Sequence, residues 1–383
     1  MKIALPDAQG RKADYTLTGT AIAAGRLLRD AVRTVYSAAH VVADPFTGND
    51  PSGRATVDWE RTMAFRRYLA DLGLGIAEAM DTAQRGMGLD WPGALELIRR
   101  TRAELPDALV ANGCGTDHLE PGAARDTDDV IRAYLQQTHA IQSLDARLIL
   151  MASRALARVA KGPGDYIAVY DRVLSECDHP VVLHWLGEMF DPQLAGYWGA
   201  ANVDAAMDTA LEVITRNRSK VDGIKISLLD KDKEIAMRRR LPKGVRMYTG
   251  DDFNYPELIE GDDQGFSHAL LGIFDPLAPA AAYAVRQLGQ GDAKGFRATL
   301  DPTVPLARLI FRPPTQYYKT GVVFLAWLNG FQDHFIMLNG AQAMRPLPYF
   351  TEIFRLADQA GLLRDPEMAV RRMRQLLALY GAG

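Results

Sequence analysis

The sequence predicts an α/β protein: a (β/α)8 TIM barrel with an N-terminal extension and a C-terminal helical region. Three observations carry that prediction. Short apolar runs alternate with longer segments of helical period, the pattern of a parallel sheet covered by helices. About eight such units follow one another over roughly 250 residues, the size of a (β/α)8 barrel. No G-x-G-x-x-G follows any of the runs, which puts a doubly wound sheet second.

The first run is 35–42 and ends at Asp44-Pro45-Phe46. Asp58 is a good N-cap for a helix with Met63, Phe65, Tyr68, Leu69 and Leu72 as its apolar positions. A strand over 75–79 precedes a helix that begins at Asp90 and runs through Leu95 and Ile98. Residues 109–112 and 147–152 read as the third and fourth strands, with a helix from near Asp128 between them. The fifth unit pairs a helix over 165–174 with a buried strand over 180–184. A helix over 203–215 leads to a strand over 223–227, and a charged helix over 231–240 leads to a strand over 245–249. The last strand is expected over 264–267, closed by a helix over 276–288. The chain therefore divides into an extension (1–34), a barrel carrying the site (35–290) and a helical region (291–383). The apolar stripes of that last region, such as Phe324, Leu325 and Leu328, read as packing against the barrel or a partner subunit.

Composition narrows the function. The chain has 383 residues, 48% of them hydrophobic, enough for a large core. Lys and Arg number 44 against 47 Asp and Glu, so no basic excess exists to neutralise a nucleic acid. Cys114 and Cys177 are the two cysteines, too few for a disulfide framework and suited to a reducing compartment. No window reaches the roughly 18 apolar residues of a membrane span. The opening residues reach Pro6-Asp7 before a signal peptide's apolar region could form. A cytoplasmic protein with no membrane partner is expected.

Barrel enzymes place their reactive groups at the C-terminal ends of the strands. Here those ends carry Asp44, Asp81-Thr82, Cys114 to His118, Ser153-Arg154, His184-Trp185, Lys225, Gly250-Asp251-Asp252 and Ser267-His268. Lys225 is the most informative. It lies within an apolar strand, with Ile224 and Ile226 on the opposite side of the pleat. A lysine desolvated in a barrel interior loses pKa and becomes a nucleophile able to form a Schiff base. The alternative is a salt bridge at the barrel's end, to Asp251 or Glu78.

Gly223-Ile224-Lys225-Ile226-Ser227 resembles the Schiff-base strand of the dihydrodipicolinate synthase/N-acetylneuraminate lyase family, class I aldolases on (β/α)8 barrels with a C-terminal helical domain. Asp44-Pro45-Phe46 with Val57-Asp58 resembles the family's Pro-Phe and Val-Asp pair. Asp81-Thr82-Ala83-Gln84 falls where the family has Gly-Thr-Thr-Gly-Glu, the loop that holds the substrate's carboxylate. Thr249-Gly250-Asp251-Asp252 resembles Ser-Gly-Asp-Asp after strand seven, and Gly265-Phe266-Ser267 resembles Gly-x-x-Ser of strand eight. The resemblance covers most of 35–330.

The departures are specific. The family's Tyr-Asn-x-Pro at strand five, whose Tyr relays protons, is replaced by His184-Trp185-Leu186-Gly187. The carboxylate loop keeps only Thr82, and strand four ends in Met151-Ala152-Ser153-Arg154 where relatives carry Pro-Tyr-Tyr.

The resemblance implies that Lys225 attacks the ketone of a 2-oxo acid or keto-sugar acid, and that a carbon–carbon bond is formed or cleaved through an enamine. His184 is the expected acid/base, since an imidazole both gives and takes protons near neutrality. Thr82 and Asp81 are expected at the substrate's carboxylate or hydroxyl, and Gly250, Asp251, Ser267, His268 and His118 at the rest of it. Arg154 could clamp a second anion or lie at the surface. No cofactor and no metal are expected, and the resemblance implies a homo-oligomer, a dimer or tetramer.

Two other readings remain at this point. His118, His184, His268, Asp117, Glu188 and Asp251 could hold a metal in a barrel isomerase or class II aldolase, although no H-x-H or H-E-x-x-H spacing supports it. A relative that binds ligand without turnover is the third, opposed by the cost of an idle buried ammonium.

Overall fold

The computed structural model describes residues 1–23, 25–28, 30–50, 53, 56–120 and 122–383. An antiparallel hairpin, β1 (Lys2–Pro6) and β2 (Lys12–Thr16), opens the chain. Eight strands follow: β3 (Val35–Ala38), β4 (Gly75–Glu78), β5 (Val110–Cys114), β6 (Arg147–Met151), β7 (Val181–Leu186), β8 (Val221–Ser227), β9 (Arg246–Thr249) and β10 (His268–Leu271). All pair in parallel in chain order, and β10 returns to β3 through Leu270↔Tyr36, so the sheet closes. A doubly wound sheet would leave two edges; this one has none.

The helices are α1 (Trp59–Asp71), α2 (Trp91–Glu104), α3 (Thr127–Gln142), α4 (Arg154–Val159), α5 (Pro163–Ser175), α6 (Val203–Arg216), α7 (Lys231–Arg240), α8 (Tyr255–Glu260) and α9 (Ala278–Gly289). They continue as α10 (Ala293–Leu300), α11 (Val304–Ile310), α12 (Tyr318–Leu328), α13 (Leu347–Gln359) and α14 (Pro366–Leu379). The starts follow from side-chain caps: Asp58 accepts from the Arg61 N–H and Asp90 from the Gly93 N–H. Helix α3 begins one residue earlier than Asp128, because Asp126 takes the cap position and accepts from the Asp129 N–H. Among the described residues no helix is long and apolar enough to cross a membrane.

The chain forms two compact units. One consists of Arg33–Ala39 and Gly75–Gly272 and holds all eight barrel strands with α2 to α8. The other consists of Met1–Val32, His40–Leu74 and Ile273–Gly383, and holds the hairpin, α1 and α9 to α14. In that second unit every residue of α12 is buried, and Phe324 packs on Phe350 at 4.8 Å between ring centres. Its other interior feature is polar: the backbone N–H and Nδ1 of His40 both meet Asp275 Oδ2 at 2.7 Å.

Strand period decides what faces the barrel's interior. Tyr36, Ala38, Ala77, Met80, Ala111, Ile149, Met151, Val182, Tyr248 and Leu270 form one buried cluster, contributed by seven strands and the turn after β4. On β7 the next inward position after Val182 is His184. His184 pairs in register with Lys225, and Lys225 with Tyr248, so both basic side chains face inward. Ile224 and Ile226 take the outer face and are buried.

The eighth strand differs from its expected place. Residues 262–265 form a tight antiparallel bridge, Asp262↔Gly265, with Gly265 at φ +150°, and the Ser267 N–H goes to the Leu258 carbonyl. The strand then begins at His268, and its C-terminal end is Leu271. The run His268-Ala269-Leu270-Leu271 satisfies the parallel ladder, whereas Gly265 and Ser267 are used in closing the preceding turn.

Glu234, in the first turn of α7, ties this helix to the strands. Ser267 Oγ donates to its Oε1 at 2.7 Å, and Thr249 is a second partner. Burial raises its pKa from 4.5 to about 8, against the lowering effect of Ser267. The folded protein thus holds this proton more tightly than the unfolded chain. The stability it contributes is complete below about pH 4.5 and is lost as pH rises through 8. Glu234→Gln, which carries the neutral form permanently, is expected to melt higher than the parent at pH 8.5 by roughly 2 °C or more. The two should converge near pH 5, as read by circular dichroism.

Candidate active site

Lys225 sits near the C-terminal end of β8, with 7% of its surface exposed. Among the described residues it has no ion-pair partner, so the expected alternative of a salt bridge to Asp251 or Glu78 is not what the fold builds. Glu78 faces the other way: its Oε2 accepts from Thr101 Oγ1 of α2 at 2.6 Å. Burial lowers the Lys225 pKa below 10.5, and the Asp81 and Asp252 carboxylates partly oppose the shift. Desolvation wins, so the neutral amine is more accessible than on an ordinary lysine.

His184 is buried beside it, one strand over. Burial first, and the Lys225 charge second, hold its pKa well below 6.5. The ring is therefore neutral at physiological pH, rather than poised near 6.5. Its Nε2 lies 3.3 Å from Ser227 Oγ. Ser227 is two residues beyond Lys225 and shares its face of the strand. That period-two relation could have marked Ser227 in the sequence, where it was read only as part of the strand motif.

Gly250 explains how the Lys225 and Ser227 side chains fit in one place. A Cβ there would strike Ser227 Oγ and come within 2.6 Å of the Ile226 carbonyl and 2.7 Å of Lys225 Cε. Only glycine leaves the room these two side chains occupy. Its N–H continues the β8–β9 ladder to the Ile226 carbonyl at 2.9 Å. Asp251 is fully engaged: Oδ1 accepts from the N–H groups of Phe253 and Asn254, and Oδ2 from Asn254 Nδ2 at 2.8 Å. It shapes the loop after β9, and Asp252 is the carboxylate of that loop whose charge bears on Lys225.

On the far side of the barrel, Asp81 to Ala83 form a 3-10 turn directly after β4. Thr82 is 1% exposed, while Asp81 is half-buried and acts electrostatically on Lys225. Arg85, which the sequence did not single out, fixes this turn. It donates to the carbonyls of Ala79 and Gly113 at 3.1 Å and grips Asp117 in a bidentate pair at 2.7 and 2.8 Å. Gln137 joins the network through Arg85, Asp117, the Gly115 N–H and His118 Nδ1. His118, expected at the substrate, is held on both ring nitrogens by Gln136 and Gln137 and belongs to this scaffold.

Two further expected site residues are not gathered with Lys225. Ser267 faces the helix layer and is committed to Glu234. His268 starts β10 at the opposite end of the strand from the C-terminal rim, accepts from the Thr34 N–H at Nδ1, and is pushed down to about 4 by burial and by Arg246 and Arg33. Arg154 pairs with Asp191 at 2.5 Å. Tyr197, the tyrosine nearest in sequence to β7 on its C-terminal side, has its hydroxyl engaged by the Ser153 N–H and Tyr170, each at 3.0 Å. The proposed metal ligands are dispersed accordingly, and among the described residues no group of three or more His, Cys, Asp or Glu is arranged to hold an ion.

The closed parallel barrel is the fold of solved dihydrodipicolinate synthases, to which the chain is similar in structure. The synthase from Thermotoga maritima superposes with a TM-score of 0.64 at 15% identity, over 86% of this chain and 99% of that one. A prophage protein of the dihydrodipicolinic acid synthase family from E. coli K12, solved in complex with pyruvate, gives 0.64 at 14% identity over 86% and 99%. The Aquifex aeolicus synthase gives 0.58 at 13% over 91% and 98%. Within that fold the chain belongs to the family described as protein of unknown function (DUF993), whose model matches residues 3–382. A search of curated proteins finds no match.

Gly250→Ala is expected to displace the Lys225 side chain while leaving the barrel folded. Labelling of Lys225 by an amine-reactive reagent, followed by peptide mass mapping, should slow by about tenfold or more.

Proposed function

We propose that this chain is a class I aldolase or related lyase or synthase, in which Lys225 forms a Schiff base with a substrate ketone and a carbon–carbon bond is made or broken next to it. One observation carries the reading: a lysine amine, buried in a barrel interior without an ion pair, whose pKa is lowered by desolvation. A charged group in such a place is costly unless it is used. The pyruvate bound by the E. coli relative of the same fold supports a small carbonyl compound as substrate.

The chemistry follows from the residues around the amine. Neutral Nζ adds to the carbonyl carbon, one proton is taken up from solvent, the carbonyl oxygen leaves as water, and a protonated imine remains. That cation withdraws electrons from the adjacent carbon. In cleavage, the electron pair of the breaking carbon–carbon bond becomes an enamine, and the hydroxyl of the departing fragment gives up its proton. His184 is the acid/base we assign. Being neutral, it can accept that proton at Nε2, and Ser227 lies within reach to pass it on. Gly250 makes the space, and the turn containing Asp81 and Thr82 forms the opposite wall. A homo-oligomer acting on a 2-oxo acid or keto-sugar is the form this function takes by resemblance.

Borohydride trapping tests the reading. Protein incubated with a panel of 2-oxo acids and ketoses, then reduced, should carry a stable adduct on the Lys225 peptide, and Lys225→Ala should carry none. Trapping should rise with pH to a plateau whose midpoint lies below 10.5, because burial lowers this amine's pKa. An adduct that survives Lys225→Ala, or no adduct with any carbonyl compound, refutes the proposal.

A further inference from the structure

The unit that holds the hairpin, α1 and α9 to α14 contains a cavity of about 180 Å³, and every residue of its wall belongs to that unit. Most of the wall is apolar. Ile22, Pro276 before α9, Pro279 in its first turn, Phe331 after α12, and Leu362 between α13 and α14 supply it. Backbone bonding holds the segments together, the Ile22 N–H donating to the Gly361 carbonyl at 3.0 Å.

Arg364 is the one charged residue of the wall, and it is exposed. Asn329, 5% exposed, fixes the loop that carries it. The Asn329 Nδ2 donates to the Leu362 carbonyl at 3.0 Å, and its Oδ1 accepts from the Arg364 N–H at 2.9 Å. The Arg364 guanidinium carbon lies 4.7 Å from the ring centre of Phe331 and 5.3 Å from that of Tyr68. Stacking of this kind uses the flat face of the guanidinium and leaves its in-plane N–H donors available. Among the described residues those donors make no hydrogen bond and no ion pair. The carboxylates next to these segments in the chain have other partners. Asp275 meets His40, Asp358 accepts from the Tyr15 hydroxyl and the Thr18 and Gly19 N–H groups, and Asp365 caps α14 through the Met368 N–H.

We propose that this cavity binds a small monocarboxylate with a compact apolar body, an aromatic or branched aliphatic acid, whose carboxylate pairs with Arg364 and whose body lies against Phe331 and Leu362. The cation alone would suit any anion, and the apolar wall alone any small hydrocarbon; together they select a molecule that carries both. A carboxylate can take two parallel N–H donors from one guanidinium. An apolar cavity of roughly 150 Å³ admits a benzene ring, so the body has up to about six non-hydrogen atoms. Inorganic phosphate would meet the same cation and leave the apolar wall uncovered. Binding involves no covalent step and does not depend on Lys225.

Isothermal titration calorimetry of the full-length protein with benzoate, isovalerate, benzamide and inorganic phosphate tests this. None of these probes is a ketone or aldehyde, so none forms an imine with Lys225. Both acids are expected to bind saturably at a single site, benzoate about tenfold or more tighter than its uncharged analogue benzamide. Arg364→Gln should bring benzoate down to the level of benzamide. Ala21→Phe, at an exposed position of the wall, should abolish binding of both acids by filling the space. Circular dichroism of both variants should match the parent. The proposal is overturned if neither acid binds saturably, if benzamide or phosphate binds the parent as tightly as benzoate, or if benzoate binding survives both substitutions.

Discussion

A closed barrel has no exposed edge and little interior space, and a basic side chain committed to that interior constrains everything around it. Lys225 is committed by register. Its strand is bonded on both sides, to His184 and to Tyr248, so turning it outward would require breaking two ladders at once. The cost of keeping an amine there falls on the charged form, and the neutral form is what remains accessible. Its neighbours then follow: a glycine at 250 because Lys225 Cε and Ser227 Oγ fill the volume, and a histidine at 184 kept neutral by burial first and by the adjacent Lys225 second.

The rim is built by groups that do not touch this centre. Arg85 joins the turn after β4 to the end of β5 through two carbonyls, and with Gln137 it holds Asp117 and His118 in place. Asp251 spends both carboxylate oxygens on the loop after β9. Such internally satisfied loops are rigid supports, and they leave a small number of side chains facing the amine. Polar residues at strand ends thus divide into those that make the rim and those that face its centre. Residue type alone does not separate them.

That division marks how far the sequence could be read. Seven of the eight strands are legible because each is an apolar run bounded by polar turns, and the caps Asp58 and Asp90 because an acceptor before a helical period has one economical use. Lys225 stood out as a charge inside such a run. The eighth strand was placed too early because Gly265-Phe266-Ser267 looks like a strand end, whereas it closes a turn onto Leu258. Ser267 and His268 moved out of the site with it. His118 and Asp251 were misjudged for another reason: their partners, Gln137 and the backbone of 253–254, are contacts that composition and period do not announce. The association of His40–Leu74 with Ile273–Gly383 in one compact unit is likewise a long-range fact, invisible to any local pattern.

The carboxylates of Asp81 and Asp252, whose charge opposes the lowering of the Lys225 pKa, have opposite consequences at successive stages of the proposed reaction. On the free lysine they favour the ammonium, which does not attack, and only the larger desolvation effect keeps the pKa lowered. Once an imine has formed, the nitrogen carries a charge that burial penalises, and the same carboxylates become its stabilisers. A site with burial alone would make the amine reactive and its product unstable; one with carboxylates alone would hold the ammonium and never begin. Catalysis depends on interactions that are stronger later in the reaction than at its start. A weak opposition before the imine and a compensation after it meets that requirement.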